Sequence, residues 1–545
     1  MHMNYFNHSS PMNRLPGFLF AALCLSSYFG MYAQAEKTTP NSAPPSSDLK
    51  IVGGATVTTA LPWMAAIMNS SVADKVNAQY CGGTLIHPQY ILTAAHCIVD
   101  NFTGSPANTT GGIFLKYPNQ VNVMIGVTDL YDPAGVRLEV DQIILHPEYT
   151  VAGSLNDLAL VRLAAPVPNE VMRLNEDPNL VSPGNTASAY GWGSTTGDPN
   201  NLMYDQFLRG LDMPVIDTVV AQAAHPNFNL GGPENFAAGF DTAGKDTCYG
   251  DSGGPLLLYD LDGPVIGGIS SYGESVCAQA DGYGIYTDVS NYIPWIHSYL
   301  YPNFYAWEKF YFVNGLRGDA DGDGVCNLME FAFDTNPNVI ASQDRIVDAT
   351  YQVSGMEYYG LTVPFRNDAP EFEIGVEKSA DLITWTPIAT ANVTAPSALT
   401  SVVMEHSLRD ADPIGTDALR FLRAGFRAAP ITTQRVGTPG LTSGILKTSD
   451  AISPATGARV DVYDLFDAFG GQTLEIDLRS PNFDVLLLIY NVDTGNIVLQ
   501  DNNSGPNTDA SLTFFPVNGT RYEIHVTSPN SSDLGRYELR VTKLP

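Results

Sequence analysis

Short apolar runs separated by turn-forming residues constrain this chain more than any other feature of its sequence. Between residues 51 and 300, runs such as LPWMAAI, YILTAA, VNVMIGV and PLLLYD alternate with stretches that contain Gly, Pro, Asn or Asp. Runs of this length are typical of strands, and their spacing favours an all-β barrel or sandwich over alternating β and α units. We therefore expect a mainly β fold.

The chain has 545 residues, which is too many for one domain of the common size of about 100–200 residues. Residues 303–318 have a helical, aromatic pattern and lead into an acidic, glycine-rich loop. Strand patterns then return. Within runs such as VDVYDLF, LEIDL and YEIHV, apolar and polar residues alternate with a period of two, which is typical of the strands of a β-sandwich with one solvated face. The predicted units are a first β region at 51–301, a helical linker at 302–340, a β module at 341–430 and a β-sandwich-like module at 431–545.

The first 35 residues have the pattern of an export signal. Arg14 precedes an apolar run at 15–32, and the Ala-Gln-Ala at 33–35 has the small-x-small form of a cleavage site. A membrane anchor is the alternative, but glycines and serines interrupt this run, and no later segment reaches the roughly 20 apolar residues of a membrane span. We expect a signal peptide at 1–35 and a secreted, extracellular protein that passes through the periplasm if its source is bacterial.

Composition excludes some partners. The chain carries 27 Lys and Arg against 57 Asp and Glu, for a net charge of −30. Such a chain repels phosphate backbones, so nucleic acid is not expected as a partner. The segment 36–50 is polar and rich in Pro and Ser, so it is predicted to be a flexible tether.

Export also bears on the cysteines, because thiols pair outside the cytosol. Beyond Cys24 the chain has Cys81, Cys97, Cys248, Cys277 and Cys326. Five is an odd number, so we expect at least one cysteine to stay unpaired.

Three short segments carry chemistry: TAAHC at 93–97, LNDLALVRL at 155–163 and GDSGGP at 250–255. Each segment alone gives only modest support for a catalytic site. A histidine beside a cysteine, such as His96, is often structural, and so is a tight Gly-rich turn. Asp157 is unusual within an apolar strand, because burying a carboxylate requires a partner. Together, His96, Asp157 and Ser252 supply a base, an orienting acid and a nucleophile.

The proposed chemistry needs all three residues. A serine hydroxyl is a poor nucleophile until a base takes its proton, and an imidazole titrates near neutral pH. A buried Asp157 would hold His96 in the right tautomer and stabilise the imidazolium. The N–H groups of Gly250 and Ser252 would bind the developing oxyanion, each such donor contributing roughly 3–4 kcal/mol.

Further motifs, IVGG (51–54), YGWG (190–193), DTCYGDSGGPL and GIYTDVSNYIPWI, complete a resemblance to the trypsin family of serine proteases over about residues 51–300. The resemblance implies a chymotrypsin-like double β-barrel with the site between the barrels, and an endopeptidase acting on proteins or peptides. No cofactor is expected for catalysis.

The resemblance also implies a specificity pocket. Asp246 stands where trypsins place the carboxylate at the pocket floor, which favours Arg or Lys before the cleaved bond. Gly273 and Gly284 match the pocket walls. Ser271, Tyr272 and Gly273 match the segment that pairs with the substrate backbone, with Tyr272 in place of the usual tryptophan.

An activation step and two disulfides follow from the same resemblance. Residues 36–50 would be an activation propeptide, cut between Lys50 and Ile51. The new ammonium would pair with Asp251, so the uncut chain is expected to leave Asp251 unpaired and the oxyanion hole poorly formed. The implied disulfides are Cys81–Cys97 and Cys248–Cys277, which leaves Cys326 over.

The acidic loop at 319–330 predicts a structural calcium site. In an EF-hand-like pattern, with Gly324 at the turn, positions 1, 3, 5, 7, 9 and 12 are Asp319, Asp321, Asp323, Val325, Asn327 and Glu330. Calcium takes six to eight oxygen ligands, which this spacing supplies. The alternative is a solvated acidic loop.

The last unit, 431–545, resembles the prepeptidase C-terminal domain of exported bacterial proteases through DVYDLF, LEIDLRSPNFDVLLLIY and GRYELRV. The alternative for it is a generic β-sandwich, and 341–430 remains an unassigned β module. For the whole chain, the competing hypothesis is a non-catalytic or adhesion protein on a protease scaffold. An esterase is a further alternative within the enzyme class.

Overall fold

The structure is a computed structural model. It describes residues 6–7, 51–100, 114–151, 154–230, 232–340, 347–379, 386–388, 391–392, 396–409, 419–502, 504–505 and 509–545. The predicted signal peptide, apart from residues 6–7, and the predicted propeptide with Lys50 lie outside these ranges.

A closed antiparallel barrel forms the first half of the protease region. The strands up to residue 163 are β1 Phe6–Asn7, β2 Ala55–Thr56, β3 Met64–Asn69, β4 Gln79–His87, β5 Tyr90–Thr93, β6 Val121–Ile125, β7 Leu138–Leu145 and β8 Ala159–Leu163. Two short helices, α1 Lys75–Ala78 and α2 Ala95–Ile98, lie between them. The barrel closes in the order β3-β4-β5-β8-β7-β6, with β6 paired to β3. Every residue of β8 is buried, including Arg162, whose guanidinium donates to Asp141 at 2.7 Å.

A second closed barrel follows. Its strands are β9 Thr186–Gly191, β10 Arg209–Ile216, β11 Asn235–Ala238, β12 Pro255–Asp260, β13 Gly263–Tyr272 and β14 Gly284–Asp288, with helix α3 Thr218–Ala224 between β10 and β11. They pair in the order β11-β14-β13-β12-β9-β10, and β10 closes onto β11. The predicted chymotrypsin-like double barrel is therefore confirmed.

Three helices leave the second barrel: α4 Ile293–Leu300, α5 Pro302–Tyr311 and α6 Asn327–Phe333. The helix predicted over 303–318 ends earlier, at Tyr311. Phe312 has a left-handed φ of 56°, so the chain turns there before it reaches the acidic loop. Rings from α5, α6 and the next module pack together, with Phe304 edge-on to Phe331 at 5.4 Å between centroids.

The remaining residues form β-sheets. The strands of 347–428 are β15 Val347–Val353, β16 Met356–Arg366, β17 Phe372–Ser379, β18 Thr386–Ile388, β19 Ala391–Asn392, β20 Ser397–Ala398, β21 Val403–Arg409 and β22 Leu419–Ala428. Those of the C-terminal unit are β23 Gln434–Val436, β24 Gly440–Leu446, β25 Ala451–Ile452, β26 Arg459–Leu465, β27 Thr473–Arg479, β28 Leu486–Asn491, β29 Asn496–Asp501, β30 Ala510–Phe514, β31 Tyr522–Thr527 and β32 Gly535–Leu544. In β27 every second residue is buried, as the sequence pattern predicted.

The C-terminal unit, 431–545, joins the first barrel through a shared sheet. Strand β24 pairs antiparallel with β7, and Thr442 lies opposite Ile144. One ten-stranded sheet therefore runs from β30 through β27, β32 and β24 into the barrel. Within the described ranges, no helix is long and apolar enough to cross a membrane.

Candidate active site

A cavity of about 680 Å³ opens between the two barrels. His96 and the Cys81–Cys97 disulfide line it from the first barrel, and Asp246 and Ser252 line it from the second. Two of the three segments singled out in the sequence therefore meet at this cavity, although they are far apart along the chain.

His96 is held by Asp157 at two points. The ring Nδ1 lies 2.8 Å from Asp157 Oδ2, and the backbone N–H of His96 donates to Asp157 Oδ1 at 2.9 Å. His96 stands on the one-turn helix α2, directly after β5, whereas Asp157 directly precedes β8, which pairs with β5. This pairing brings base and acid together.

The charges of the pair stabilise each other. Burial of His96 disfavours its protonation, but the Asp157 charge and hydrogen bond outweigh burial and raise the pKa of His96. Burial of Asp157 acts toward a higher pKa, but the His96 charge and the hydrogen bonds from His96 and Ser271 lower the pKa of Asp157 overall. The arrangement favours an imidazolium beside a carboxylate, which a general base needs at the moment it accepts a proton.

Ser271 has a second place in this network. Its hydroxyl donates to Asp157 Oδ2, while Thr287 Oγ1 donates to the Asp157 backbone carbonyl at 3.0 Å. The sequence assigned Ser271 only to the substrate-binding segment. Its contact with Asp157 arises from the placement of β13 and could not be foreseen from the residues around it.

The turn around Ser252 is shaped by glycines. Gly250 and Gly253 have φ values of 97° and 76°, which residues with a Cβ rarely adopt. A Cβ on Gly253 would also lie 2.2 Å from Thr93 Oγ1. The Ser252 carbonyl accepts the N–H of Gly82 at 2.8 Å, so the first barrel fixes the nucleophile's backbone.

Asp251 is buried behind this turn. Its carboxylate accepts the N–H groups of Gly193 and Cys248, at 2.8 and 2.9 Å. Burial raises the pKa of Asp251 to about 6, although both amide donors act in the opposite direction. A Cβ on Gly191 would lie 2.0 Å from the carboxylate, which explains a glycine there in the YGWG segment. The described partners of Asp251 are thus backbone amides.

Ile51, the residue expected to become the new N-terminus, is completely buried. Its side chain packs in the core of the second barrel. Val52 forms a β-bridge with Asp246, whose N–H donates to the Val52 carbonyl at 2.9 Å. The segment after the expected cut therefore lies directly behind the pocket residue.

Asp246 lines the cavity and is only 6% exposed. One carboxylate oxygen accepts the N–H of Ala278 at 3.0 Å, and the other has no hydrogen-bond partner among the described residues. Burial raises the pKa of Asp246 to about 7, against the effect of its backbone hydrogen bonds. Gly273 and Gly284 line the same cavity, and a Cβ on Gly284 would crowd the Tyr286 hydroxyl at 3.0 Å.

Other cavity residues were not foreseen because they stand outside the quoted motifs: Tyr80, Lys116, Tyr204 and Glu274. Tyr272 was foreseen, and its ring meets Phe228 edge-on at 5.3 Å between centroids. A stacked contact of 4.6 Å between Phe228 and His225 extends this aromatic face.

Both predicted disulfides are present. The Cα atoms lie 6.1 Å apart in Cys81–Cys97 and 5.6 Å apart in Cys248–Cys277, within the usual range. The expectation of an unpaired cysteine is wrong for the described residues, which include no free thiol. Cys326 is itself disulfide-bonded.

The carboxylates of the acidic loop at 319–330 lie close together. One oxygen each of Asp319, Asp321 and Asp323 lie within 4.8 Å of one another. Glu330, on α6, is 2% exposed, and its Oε2 has no hydrogen-bond partner among the described residues. Burial and then the charges of the three aspartates raise the pKa of Glu330 to about 8.

Backbone amides wrap this loop as well. Asp319 accepts the N–H groups of Gly322 and Gly324, each at 2.9 Å, and the Val325 N–H donates to Asp323. Asn327 was expected to be a calcium ligand, but its side-chain amide also holds the neighbouring loop, because its Nδ2 donates to the Gly315 carbonyl at 2.8 Å. The oxygen-rich donor set, in which Asp321 Oδ2 and Glu330 Oε2 have no hydrogen-bond partner among the described residues, fits a hard cation such as calcium.

The double barrel and the site between its halves define a serine protease with a chymotrypsin-like fold. The family model described as Trypsin matches residues 51–296. Trypsin-3 of Salmo salar is 30% identical over 228 residues, which cover 41% of this chain and 84% of that protein. Trypsin of Squalus acanthias is 30% identical over 263 residues, covering 46% of this chain and 97% of its own length. Vitamin K-dependent protein C of Rattus norvegicus is also 30% identical, over 44% of this chain and 49% of that protein. The chain belongs to the trypsin family.

Proposed function

We propose that this serine endopeptidase is exported and cleaves peptide bonds after Arg or Lys. The observation that carries this specificity is the Asp246 carboxylate, which is buried in the cavity wall and has one oxygen without a hydrogen-bond partner among the described residues. A guanidinium or ammonium entering the cavity satisfies that oxygen and compensates its charge, whereas a Phe or Leu side chain leaves it unpaired.

In the proposed reaction, His96 takes the proton of Ser252 as the hydroxyl oxygen attacks the substrate carbonyl. Asp157 stabilises the imidazolium, and the amides of Gly250 and Ser252 stabilise the oxyanion. His96 then protonates the leaving amine, and water hydrolyses the acyl-enzyme by the same route.

The deciding experiment compares matched peptide amides with Arg, Lys, Phe or Ala before the bond. We expect Arg and Lys to give the highest kcat/KM, and Ser252→Ala to lose about 10⁴- to 10⁶-fold in kcat with an unchanged Tm. A wild-type preference for Phe would contradict the specificity. Activity retained in the folded Ser252→Ala protein would contradict the mechanism.

Activation by cleavage between Lys50 and Ile51 is part of the same proposal. The support is the burial of Ile51 in the second barrel and the contact of Val52 with Asp246. A new ammonium at Ile51 would add a cation beside the buried Asp251, whose described partners are neutral amides. Such a cation offsets the cost of burying the Asp251 charge.

We also propose one structural calcium ion at 319–330, held by Asp319, Asp321, Asp323 and Glu330. The ion would neutralise carboxylates that otherwise repel one another. Residues next to the loop contact the protease: Leu316 and Arg317 donate backbone N–H groups to Glu176 at 3.1 and 3.0 Å. Calcium would therefore stiffen the junction between the barrels and the C-terminal modules.

Like a prepeptidase C-terminal domain, which 431–545 resembles, the last unit would accompany an exported protease.

A further inference from the structure

The segment Leu115–Tyr117 reaches the cavity through Lys116, which lines it. Its Lys116 N–H donates to the Ile98 carbonyl at 2.8 Å, and Val99 forms an antiparallel β-bridge with Leu115. Residues 98 and 99 follow His96 on helix α2 and just after it. The segment is therefore attached to the chain that carries the candidate base.

The C-terminal unit holds the same segment from its other side. The Ser443 hydroxyl donates to the Lys116 carbonyl at 2.8 Å. The Arg536 guanidinium lies 5.4 Å from the ring centre of Tyr117. Ser443 is completely buried, so its contact with Lys116 belongs to a packed interface.

The interface is anchored on a β-ladder. Strand β24, which carries Ser443, pairs with β7. The buried Gln142 side chain donates to Thr442 Oγ1 at 3.0 Å and to the Arg435 carbonyl at 2.9 Å, and Thr442 Oγ1 donates to the Ile143 carbonyl at 2.8 Å. A ladder with buried side-chain hydrogen bonds gives the C-terminal unit one fixed position relative to β7.

The Lys116 side chain lines the cavity on the side of the first barrel, whereas Asp246 lines it from the second barrel. Its Nζ lies 5.5 Å from the ring centre of Tyr80, and both residues line the cavity beside the Cys81–Cys97 disulfide. Since the residue before the cleaved bond would enter at Asp246, the residues after the bond would lie on the first-barrel side, toward the Cys81–Cys97 disulfide and Lys116.

The charges in the cavity are divided in the same way. Asp246 and Glu274 line it together with the pocket glycines, whereas Lys116 is the one Lys or Arg among the described lining residues. A partly exposed ammonium attracts a carboxylate on the substrate and repels a cation.

We propose that the C-terminal β-unit, 431–545, positions Lys116 as a subsite for an acidic residue just after the cleaved bond. Ser443 and Arg536 are positioning residues in this arrangement, and Lys116 makes the contact with the substrate. The inference rests on the proposed cleavage after Arg or Lys. It makes the C-terminal unit a part of the specificity apparatus of the enzyme.

The test uses the full-length, activated enzyme and internally quenched peptides that are identical except for Asp, Ala or Lys directly after the Arg–X bond. The measured quantity is the ratio of kcat/KM for the Asp peptide to that for the Lys peptide. We expect a ratio of about 5 or more in the wild type at low salt, falling as ionic strength rises. Lys116→Gln should bring the ratio close to one.

Ser443→Ala and Arg536→Met test the role of the C-terminal unit, because neither residue lines the cavity. Each should reduce the ratio by about 2- to 5-fold, in the direction of Lys116→Gln, while the Tm of both proteins is measured to confirm folding. Arg521→Gln is the matched control, since Arg521 pairs with Asp493 on the exposed surface of the same unit. It should keep the wild-type ratio.

The outcomes are separable from those of the proposed function. Absence of cleavage of all three peptides by the activated wild type would reject the proposed function itself. Cleavage with a ratio unaffected by Lys116→Gln overturns the subsite. A ratio that responds to Lys116→Gln but is identical to the wild type in folded Ser443→Ala and Arg536→Met overturns the positioning by the C-terminal unit.

Discussion

Ser271 and His96 share one oxygen of Asp157: the serine hydroxyl donates to Oδ2, and the imidazole Nδ1 lies 2.8 Å from the same atom. The buried carboxylate is thus held from the second barrel by Ser271 and from the first barrel by His96. The pKa of Asp157 is lowered in the folded state. Its ionisation therefore stabilises the fold above the unfolded pKa near 3.8, and that contribution is lost as the pH falls through the lower folded value.

Ser271→Ala should lower the free energy of unfolding by about 1.5–3 kcal/mol at pH 7, since it removes a hydrogen bond to a charged, buried group. The loss should diminish in acid, where Asp157 takes up a proton. Urea unfolding of both proteins at several pH values measures this. A difference that stays constant down to pH 2 would show that Ser271 acts by packing alone.

Asp246→Ser should remove the preference for Arg and Lys. We expect kcat/KM for the Arg amide to fall by about 10²- to 10³-fold, because the substrate cation loses its buried partner. The kcat/KM for the Phe amide should change much less. Asp212→Asn, an exposed carboxylate on β10, is the matched control and should leave the ranking of substrates as it is in the wild type.

The pH dependence of substrate binding should also report on Asp246. Its pKa is raised to about 7, so the pocket carries its full negative charge only above that value. KM for Arg substrates should therefore rise as the pH falls from 8 to 6, and Asp246→Asn should remove this rise. Equal pH dependence of KM in the wild type and in Asp246→Asn would refute the assignment.

Calcium should raise the Tm of the full chain, and a chelator should reverse the effect. Glu330→Gln replaces the buried carboxylate and should weaken calcium binding in calorimetric titration by at least about tenfold. Glu357→Gln, an exposed residue on β16, serves as the control. Identical calcium binding by Glu330→Gln and the wild type would exclude the site.

Lys50→Gln should give a folded protein that is nearly inactive. Without the cut at Lys50, no ammonium can form at Ile51, and misplacement of an oxyanion donor slows catalysis by about 10²- to 10³-fold. N-terminal sequencing of the active wild type should start at IVGG. An active enzyme that still carries residues 36–50 would contradict this activation route.

The sequence predicted the residues whose neighbours define them. His96, Asp157 and Ser252 each stand in a short motif, and their order alone indicated the chemistry. The double barrel followed from the resemblance, and period-two patterns identified strands such as β27. Local patterns were sufficient wherever local chemistry requires a particular residue type.

Contacts that depend on tertiary placement were not predicted. Lys116 carries no motif, and nothing near Ser443 indicates which carbonyl its hydroxyl contacts. The early end of α5 depends on a left-handed Phe312, a conformation that the residue type does not favour. These features arise from the docking of distant elements, which a pattern within one segment does not encode.

The ladder between β24 and β7 also constrains how the chain reaches its native state. Thr442 and Ile143, which are hydrogen-bonded across it, are 299 positions apart in the chain. Contacts of such high contact order form late, since a very long loop must close first. Until the C-terminal unit arrives, residues 143–145 of β7 pair with β8 on one side only, and their other edge is open to pairing with other chains. A newly synthesised chain should therefore be most prone to aggregate before its last hundred or so residues have been made.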